Sequence, residues 1–193
     1  MFVRIFLHFF LFNDLDGKAG NQRGQSAPLQ MVLPARDSFE PPYPRVDRPF
    51  IEAVYGQLDP RKPLGTELYV IGCEYVPLAL SVGIDNPSGR QEVFNAVQDA
   101  LRKYLFALPP GGPEGKGWPL GRVVTRRELE IVVSRVEGVT GVYGPLLFQE
   151  GEQGWERVIA ADGNESAELS LREWQLPELR AVGEGGASAI GLA

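Results

Sequence analysis

The sequence has very little of the two residue types on which most thiol and metal chemistry depends. It contains one cysteine, Cys73, and one histidine, His8, among 193 residues. This excludes an internal disulfide and leaves no set of residues for a zinc site, a Cys–His pair or a Ser–His–Asp triad. We expect Cys73 to be a small, half-buried packing residue. His8 lies in an apolar patch without a partner nearby, so we expect it to pack rather than to catalyse.

Basic residues are also in short supply. Lysine and arginine total 19 against 25 aspartates and glutamates, which gives a net charge of −6. A protein that binds nucleic acid needs a basic field to neutralise phosphates, so the composition predicts no nucleic-acid partner.

The sequence lacks an apolar run long enough to cross a membrane. The longest run is residues 1–12, M-F-V-R-I-F-L-H-F-F-L-F. A transmembrane helix needs about 20 apolar residues, and no small-residue cleavage site follows promptly, so we predict no membrane span and no signal peptide. This run instead reads as a strand or arm that either packs on the protein's sheet or remains exposed as a contact for another subunit.

Glycine and proline, by contrast, are abundant, with 23 and 16 residues. They predict long irregular connections between the regular elements. Their distribution divides the chain into three predicted regions. Residues 1–45 form an irregular N-terminal arm and a proline-rich linker, residues 46–182 form the folded region, and residues 183–193 form a flexible tail.

Local signals in the folded region predict an α+β fold. A helix capped by Asp47 should end at Asp59, and apolar residues at steps of three and four predict a second helix over 90–108. Strands over 67–71 and 76–84 are separated by a short connection, which predicts an antiparallel pair. The expected architecture is a small, mostly antiparallel sheet with two or three helices packed on one face and long Pro/Gly loops.

The stretch from Leu108 to Tyr143 organises the rest of the chain. Its Pro/Gly-rich first part cannot hold a helix or strand, so Trp118 must pin it in place, and a buried indole N–H needs a partner. Thr125 and Glu128 have the spacing of a capping box, which predicts a helix over 125–137. Gly138 stands where a left-handed C-terminal cap is expected.

The sequence offers no recognisable catalytic or ligand-binding motif. The segment G-G-P-E-G-K-G lacks the serine or threonine of a phosphate-binding loop and lies between two predicted helices. The acidic segment at 162–166, D-G-N-E-S, reads as a hairpin turn because it lacks the spaced ligands of a calcium loop. We therefore predict no catalytic residues, no bound metal and no cofactor.

Four motifs, in order, resemble the baseplate J-like family, the baseplate assembly proteins of phage tails and contractile injection systems. They are P-L-G-T-E-L-Y-V-I-G-C-E-Y-V-P-L-A-L-S-V at 63–82, G-W-P-L-G-R at 117–122, V-E-G-V-T-G-V at 136–142, and R-E-W-Q-L-P-E-L-R-A-V at 172–182. Cys73 stands where that family usually has proline. The resemblance covers about residues 32–182 and suggests a fragment or short version of a longer wedge subunit.

The resemblance implies a structural protein without enzymatic activity, located in the baseplate of a phage-tail-like particle that is assembled in the bacterial cytoplasm. Its implied partners are other wedge, tube or sheath-proximal subunits in a hetero-oligomeric assembly. An alternative from another class is a carboxylate-based cell-wall glycosidase that accompanies such a particle, which would need two carboxylates about 5–9.5 Å apart. A third possibility is a decayed gene remnant that folds poorly.

Two groups of residues are singled out for this structural role. We predict that four residues anchor the fold: Trp118, Gly121, Gly138 and Tyr75. Three clustered arginines, Arg122, Arg126 and Arg127, are predicted to face an acidic neighbouring subunit, although a solvated helix face would explain them equally well.

Overall fold

A computed structural model of the chain describes residues 10–12, 33–34, 38–62, 67–87, 91–152, 154–159 and 168–185. Its helices are α1 (Arg48–Leu58), α2 (Gln91–Tyr104) and α3 (Arg126–Ser134). Its strands are β1 (Phe10–Phe12), β2 (Glu67–Tyr69), β3 (Glu74–Asp85), β4 (Val124–Thr125), β5 (Gly141–Gly151), β6 (Gly154–Arg157), β7 (Glu168–Leu169) and β8 (Gln175–Glu184). The helices α2 and α3 pack against a mostly antiparallel sheet, which confirms the predicted α+β class.

The main sheet has four strands in the order β6-β5-β3-β8. The twelve-residue β3 lies at its centre, antiparallel to β5 and parallel to β8. Most of β3 is buried, which fits a central strand covered on both faces. Two smaller pairings, β1 with β2 and β4 with β7, complete the strands.

The predicted antiparallel pair of residues 67–71 and 76–84 is wrong. The first of these segments pairs with β1 instead, with Leu11 opposite Leu68. A three-residue β2 could satisfy only a few backbone groups of the twelve-residue β3, whereas β5 and β8 run along most of it.

The chain divides into two compact units. The first contains residues 1–36 and 44–73, and the second contains residues 37–43 and 74–193. In the first unit, the Asp47 carboxylate accepts the Phe50 N–H at 2.9 Å, so Asp47 caps α1 as predicted. Pro49 lies in the first turn of this helix, where its missing N–H costs nothing. The domain limits drawn from the sequence stay a prediction. His8 lies outside the described residues.

The core of the second unit lies between the sheet and the two later helices. Its fully buried side chains include Leu80 and Leu147 from the sheet, Val97 and Leu101 from α2, and Leu129 from α3. Val97 and Leu101 are four residues apart, which is the spacing that predicted α2, so the apolar periodicity identified the buried face of this helix.

Three predicted boundaries shift. The chain leaves α2 at Tyr104 rather than at 108, and α3 ends at Ser134 rather than at 137. The tail predicted from residue 183 begins too early, because β8 continues to Glu184 alongside β3. The predicted turn at 162–166 lies outside the described residues.

Candidate functional site

The Pro/Gly loop after α2 is held by its own backbone. The Gly112 N–H donates to the Lys103 carbonyl at 2.8 Å, the Gly117 N–H donates to Gly111 at 2.7 Å, and the Trp118 N–H donates to Phe106 at 2.9 Å. Gly117 has φ of +88°, and a Cβ there would lie 2.3 Å from the Ala107 carbonyl oxygen. Because a side chain would strike fixed backbone, the closed loop requires glycine at this position.

Trp118 of this loop is buried, as the sequence predicted. It is 1% exposed, and its ring meets Tyr104 of α2 edge-to-face with centroids 5.6 Å apart. The Arg122 guanidinium lies over the ring at 5.5 Å, a cation–π arrangement. The expected partner for the indole is absent, since Nε1 donates to no described residue.

Arg122 and Glu128 form the polar side of this cluster. Their side chains are 2.5 Å apart, and the Thr125 hydroxyl accepts the Glu128 N–H at 3.3 Å. Half of the predicted capping box is thus confirmed. The other half is wrong, because the Glu128 carboxylate bonds Arg122 and its second oxygen has no described partner. A charged guanidinium makes a stronger hydrogen bond to carboxylate than a backbone amide does.

Gly121 connects the loop to β8. Its N–H donates to the Gln175 carbonyl at 3.2 Å, its φ is +64°, and a Cβ would lie 2.9 Å from the Glu173 Cα. Gly138 has φ of +94°, and a Cβ would lie 2.9 Å from Val93 of α2. Gly138 is therefore left-handed as predicted, but it follows the helix by several residues and is not its immediate cap.

The three clustered arginines do not form one surface. Arg122 is partly buried in the cluster just described, and Arg126 places its guanidinium where a Cβ of Gly144 would project. Arg127 is exposed, on an open groove of about 450 Å³ between α3 and the start of β5. Of the predicted interface residues, Arg127 is the one that lines this groove.

A second cluster was missed by sequence reasoning. Glu178 of β8 is fully buried, and its carboxylate accepts the Tyr43 N–H at 3.1 Å and pairs with Arg180 at 2.7 Å. Tyr43 packs edge-to-face on Phe106 at 5.4 Å and on Tyr75 at 5.9 Å. The signal for this cluster was a glutamate inside the apolar run L-P-E-L, together with an aromatic residue in P-P-Y-P. Part of the predicted linker thus belongs to the second unit, where Tyr43 contacts buried Tyr75. The anchor role of Tyr75 stays a prediction.

Burial raises the pKa of the Tyr43 phenol, and the nearby Glu178 carboxylate raises it further. The Leu179 backbone lies close enough to oppose this rise, yet the hydroxyl has no described partner in hydrogen-bonding geometry. Hydrogen bonds weaken steeply outside that geometry, so the Tyr43 hydroxyl is unsatisfied among the described residues.

Tyr43→Phe should therefore remove an unsatisfied buried hydroxyl, which lowers stability at neutral pH. It should also remove a phenol whose ionisation destabilises the fold at high pH. Because the pKa of Tyr43 is higher in the folded state, its ionisation does not affect the free energy of unfolding below the unfolded phenol pKa of about 10. As the pH rises above that value, the unfolded state loses the proton first and the protein loses stability. We expect the variant to be equally stable or up to about 1 kcal/mol more stable at neutral pH. It should also lose less stability than wild type in strong alkali. Tyr104, whose pKa is raised chiefly by burial, should leave a residual decline.

Urea unfolding at neutral and alkaline pH measures this effect. Tyr143→Phe is the matched control, because Tyr143 is 66% exposed, and it should reproduce the wild-type pH profile. An unchanged alkaline decline in Tyr43→Phe would contradict the assignment.

The described carboxylates with a clearly shifted pKa do not suit acid catalysis. Hydrogen bonds from Lys62 to Asp59, and from Lys116 to Glu114, lower the pKa of both carboxyls. A general acid needs the opposite shift. Within the described ranges, histidine, cysteine and acidic residues form no metal-binding group. The described helices also include none with the length and apolar character needed to cross a bilayer.

Neither a protein-family model nor a curated protein sequence matches this chain. The likeness to baseplate J-like proteins therefore rests on the four sequence motifs alone.

Proposed function

We propose that this chain is a structural subunit of a phage-tail-like baseplate that acts through protein–protein assembly. The observation that supports this role is the meeting of three distant motifs. The Gly121 N–H of G-W-P-L-G-R bonds the Gln175 carbonyl of W-Q-L-P-E-L. The same segment pairs in parallel with E-Y-V-P of β3, with Tyr75 opposite Leu176.

The fourth motif, V-E-G-V-T-G-V, also contacts the core elements of the fold. Gly138 of V-E-G-V-T-G-V packs against Val93, and Val142 pairs with Ile84 of β3. The motif residues close a loop, join strands and fill the core, so their chemistry is that of a scaffold. A scaffold of this kind presents its helices and strand edges to neighbours, which is the task of an assembly subunit.

A tagged copy expressed in the native host tests this role. Lysates would be fractionated by sedimentation, and the particle fraction would be examined by electron microscopy and mass spectrometry. We expect the chain to sediment with tail-like particles and to co-purify with tail proteins.

A second assay addresses the enzymatic alternative. Purified chain would be incubated with peptidoglycan, and the released fragments would be measured. We expect no hydrolysis above buffer. Hydrolysis that disappears when one aspartate or glutamate is replaced would overturn the structural role in favour of a glycosidase.

A further inference from the structure

The outer edge of β5 is only partly paired. β3 pairs with β5 along most of its length, whereas β6 pairs with it over Phe148–Gly151 and the following Val158 N–H donates to the Leu147 carbonyl. Among the residues that the structure describes, no strand lies on the outer side of Gly141–Gly144. Alternate backbone groups of an extended strand face away from its neighbour, so this short run offers unpaired N–H and C=O groups. Pro145 ends the run, because proline has no N–H.

The groove described above lies beside this edge. Its wall on α3 includes Ile131, which is 41% exposed, and its floor includes Val139 and Val142. An exposed apolar side chain beside unpaired strand backbone is the arrangement that an added strand covers, with backbone bonds at the edge and side chains in the groove.

The charges of the groove indicate which partner fits. Arg127 and Glu130 lie three residues apart on α3 and both line the groove, and neither is ion-paired with a described residue. A partner carrying charge of one sign would satisfy one of them and repel the other. A second copy of the chain carries both signs, and a two-fold axis places the same patch of each copy against the other.

The geometry of strand addition supports this match. Two copies of β5 joined edge to edge about a two-fold axis run antiparallel, and both copies of α3 lie on the same face of the joined sheet. The two helices then run antiparallel along the groove. Glu130 is the middle residue of the nine-residue α3, so an axis that passes beside the middle of the helix brings Arg127 of each copy within one turn of Glu130 of the other.

We propose that two copies of this chain associate through Gly141–Gly144 and the adjoining groove, with Arg127 of each copy paired to Glu130 of the other. This inference rests on the proposed function for its biological setting, because it names a second copy as one of the contacts that an assembly subunit makes.

Charge exchange in the full chain tests this contact. Sedimentation velocity over a concentration series would compare wild type with Arg127→Glu, Glu130→Arg and the double variant that carries both changes. We expect a reversible wild-type dimer. Each single change should raise the dimer Kd on the order of ten-fold or more, because like charges then face each other, and the double variant should restore it.

Two controls separate the contact from folding and from net charge. Arg135→Glu makes the same charge change at the exposed end of α3, outside the groove, and should leave the dimer Kd unchanged. Thermal unfolding of every variant should match that of wild type at a concentration where wild type is monomeric, because association itself raises the melting temperature.

A wild-type chain that is monomeric at every concentration would overturn the inference. So would single variants that still dimerise normally, or a double variant that fails to recover. A monomer that still sediments with tail-like particles would refute this contact but not the proposed function. A dimer that is absent from such particles would support this contact and refute the proposed function.

Discussion

Replacing Trp118 with alanine is expected to lower the free energy of unfolding by about 3–5 kcal/mol, the range for truncating a large buried aromatic residue. Trp118 is 1% exposed and lies between the Tyr104 ring and the Arg122 guanidinium. Its loss would leave a cavity and would also free the loop that connects α2 to α3. Because Nε1 has no described partner, the loss should come from packing and not from a broken hydrogen bond.

Chemical denaturation measures this change. Trp174→Ala is the matched control, because Trp174 is 36% exposed and donates to Glu74 at 3.2 Å on the surface. The control should cost much less than the Trp118 variant. Equal stability of wild type and Trp118→Ala would show that Trp118 does not hold the fold, and would favour a role in binding.

Arg180→Ala is expected to cost about 2–4 kcal/mol, because it removes a charge partner of a fully buried carboxylate. Breaking a buried ion pair typically costs roughly 3–5 kcal/mol, and we expect a lower value because the Arg180 side chain is 43% exposed. Glu178 would keep the Tyr43 N–H as a hydrogen-bond donor, but its charge would lose the Arg180 guanidinium.

A double variant identifies the source of this loss. Glu178→Gln removes the charge and keeps an oxygen that can accept the Tyr43 N–H. Adding it to Arg180→Ala should recover much of the lost stability. If the double variant is instead as unstable as the sum of the two single changes, the buried charge is not the cause and the bulk of the Arg180 side chain is.

Local signals were sufficient to predict where helices begin. Asp47 and Thr125 cap α1 and α3 as their spacing indicated, since a cap involves only residues a few positions apart. The burial of Trp118 was also predictable, because it is the one large aromatic residue in a loop rich in glycine and proline and large aromatic residues contribute most to packing.

Non-local contacts were not predictable in the same way. The partners of β3 come from segments about 60 to 100 residues further along the chain, and nothing in residues 67–84 specifies them. The pairing of Glu128 with Arg122 also replaced a local capping bond, because the guanidinium competes better for the carboxylate. Buried Glu178 was missed because its partner Tyr43 lies 135 residues away.

The positions of the three clustered arginines were not predictable from the sequence either. Three arginines within six positions read as one surface, yet helix geometry and packing send them to different places. Arg122 covers Trp118 and Arg126 lies against Gly144, which leaves Arg127 on the groove. Glu130 was not singled out in the sequence, because its place beside Arg127 depends on a groove that only the folded chain forms.

A cryo-electron microscopy reconstruction of tail-like particles from the native host tests the central claim most directly. If the chain is an assembly subunit, the map will contain its fold in repeated copies at the baseplate. The Trp118 loop will be buried within each copy, and the groove between α3 and β5 will face a neighbouring chain. Particles whose baseplate is complete without this fold would contradict the claim.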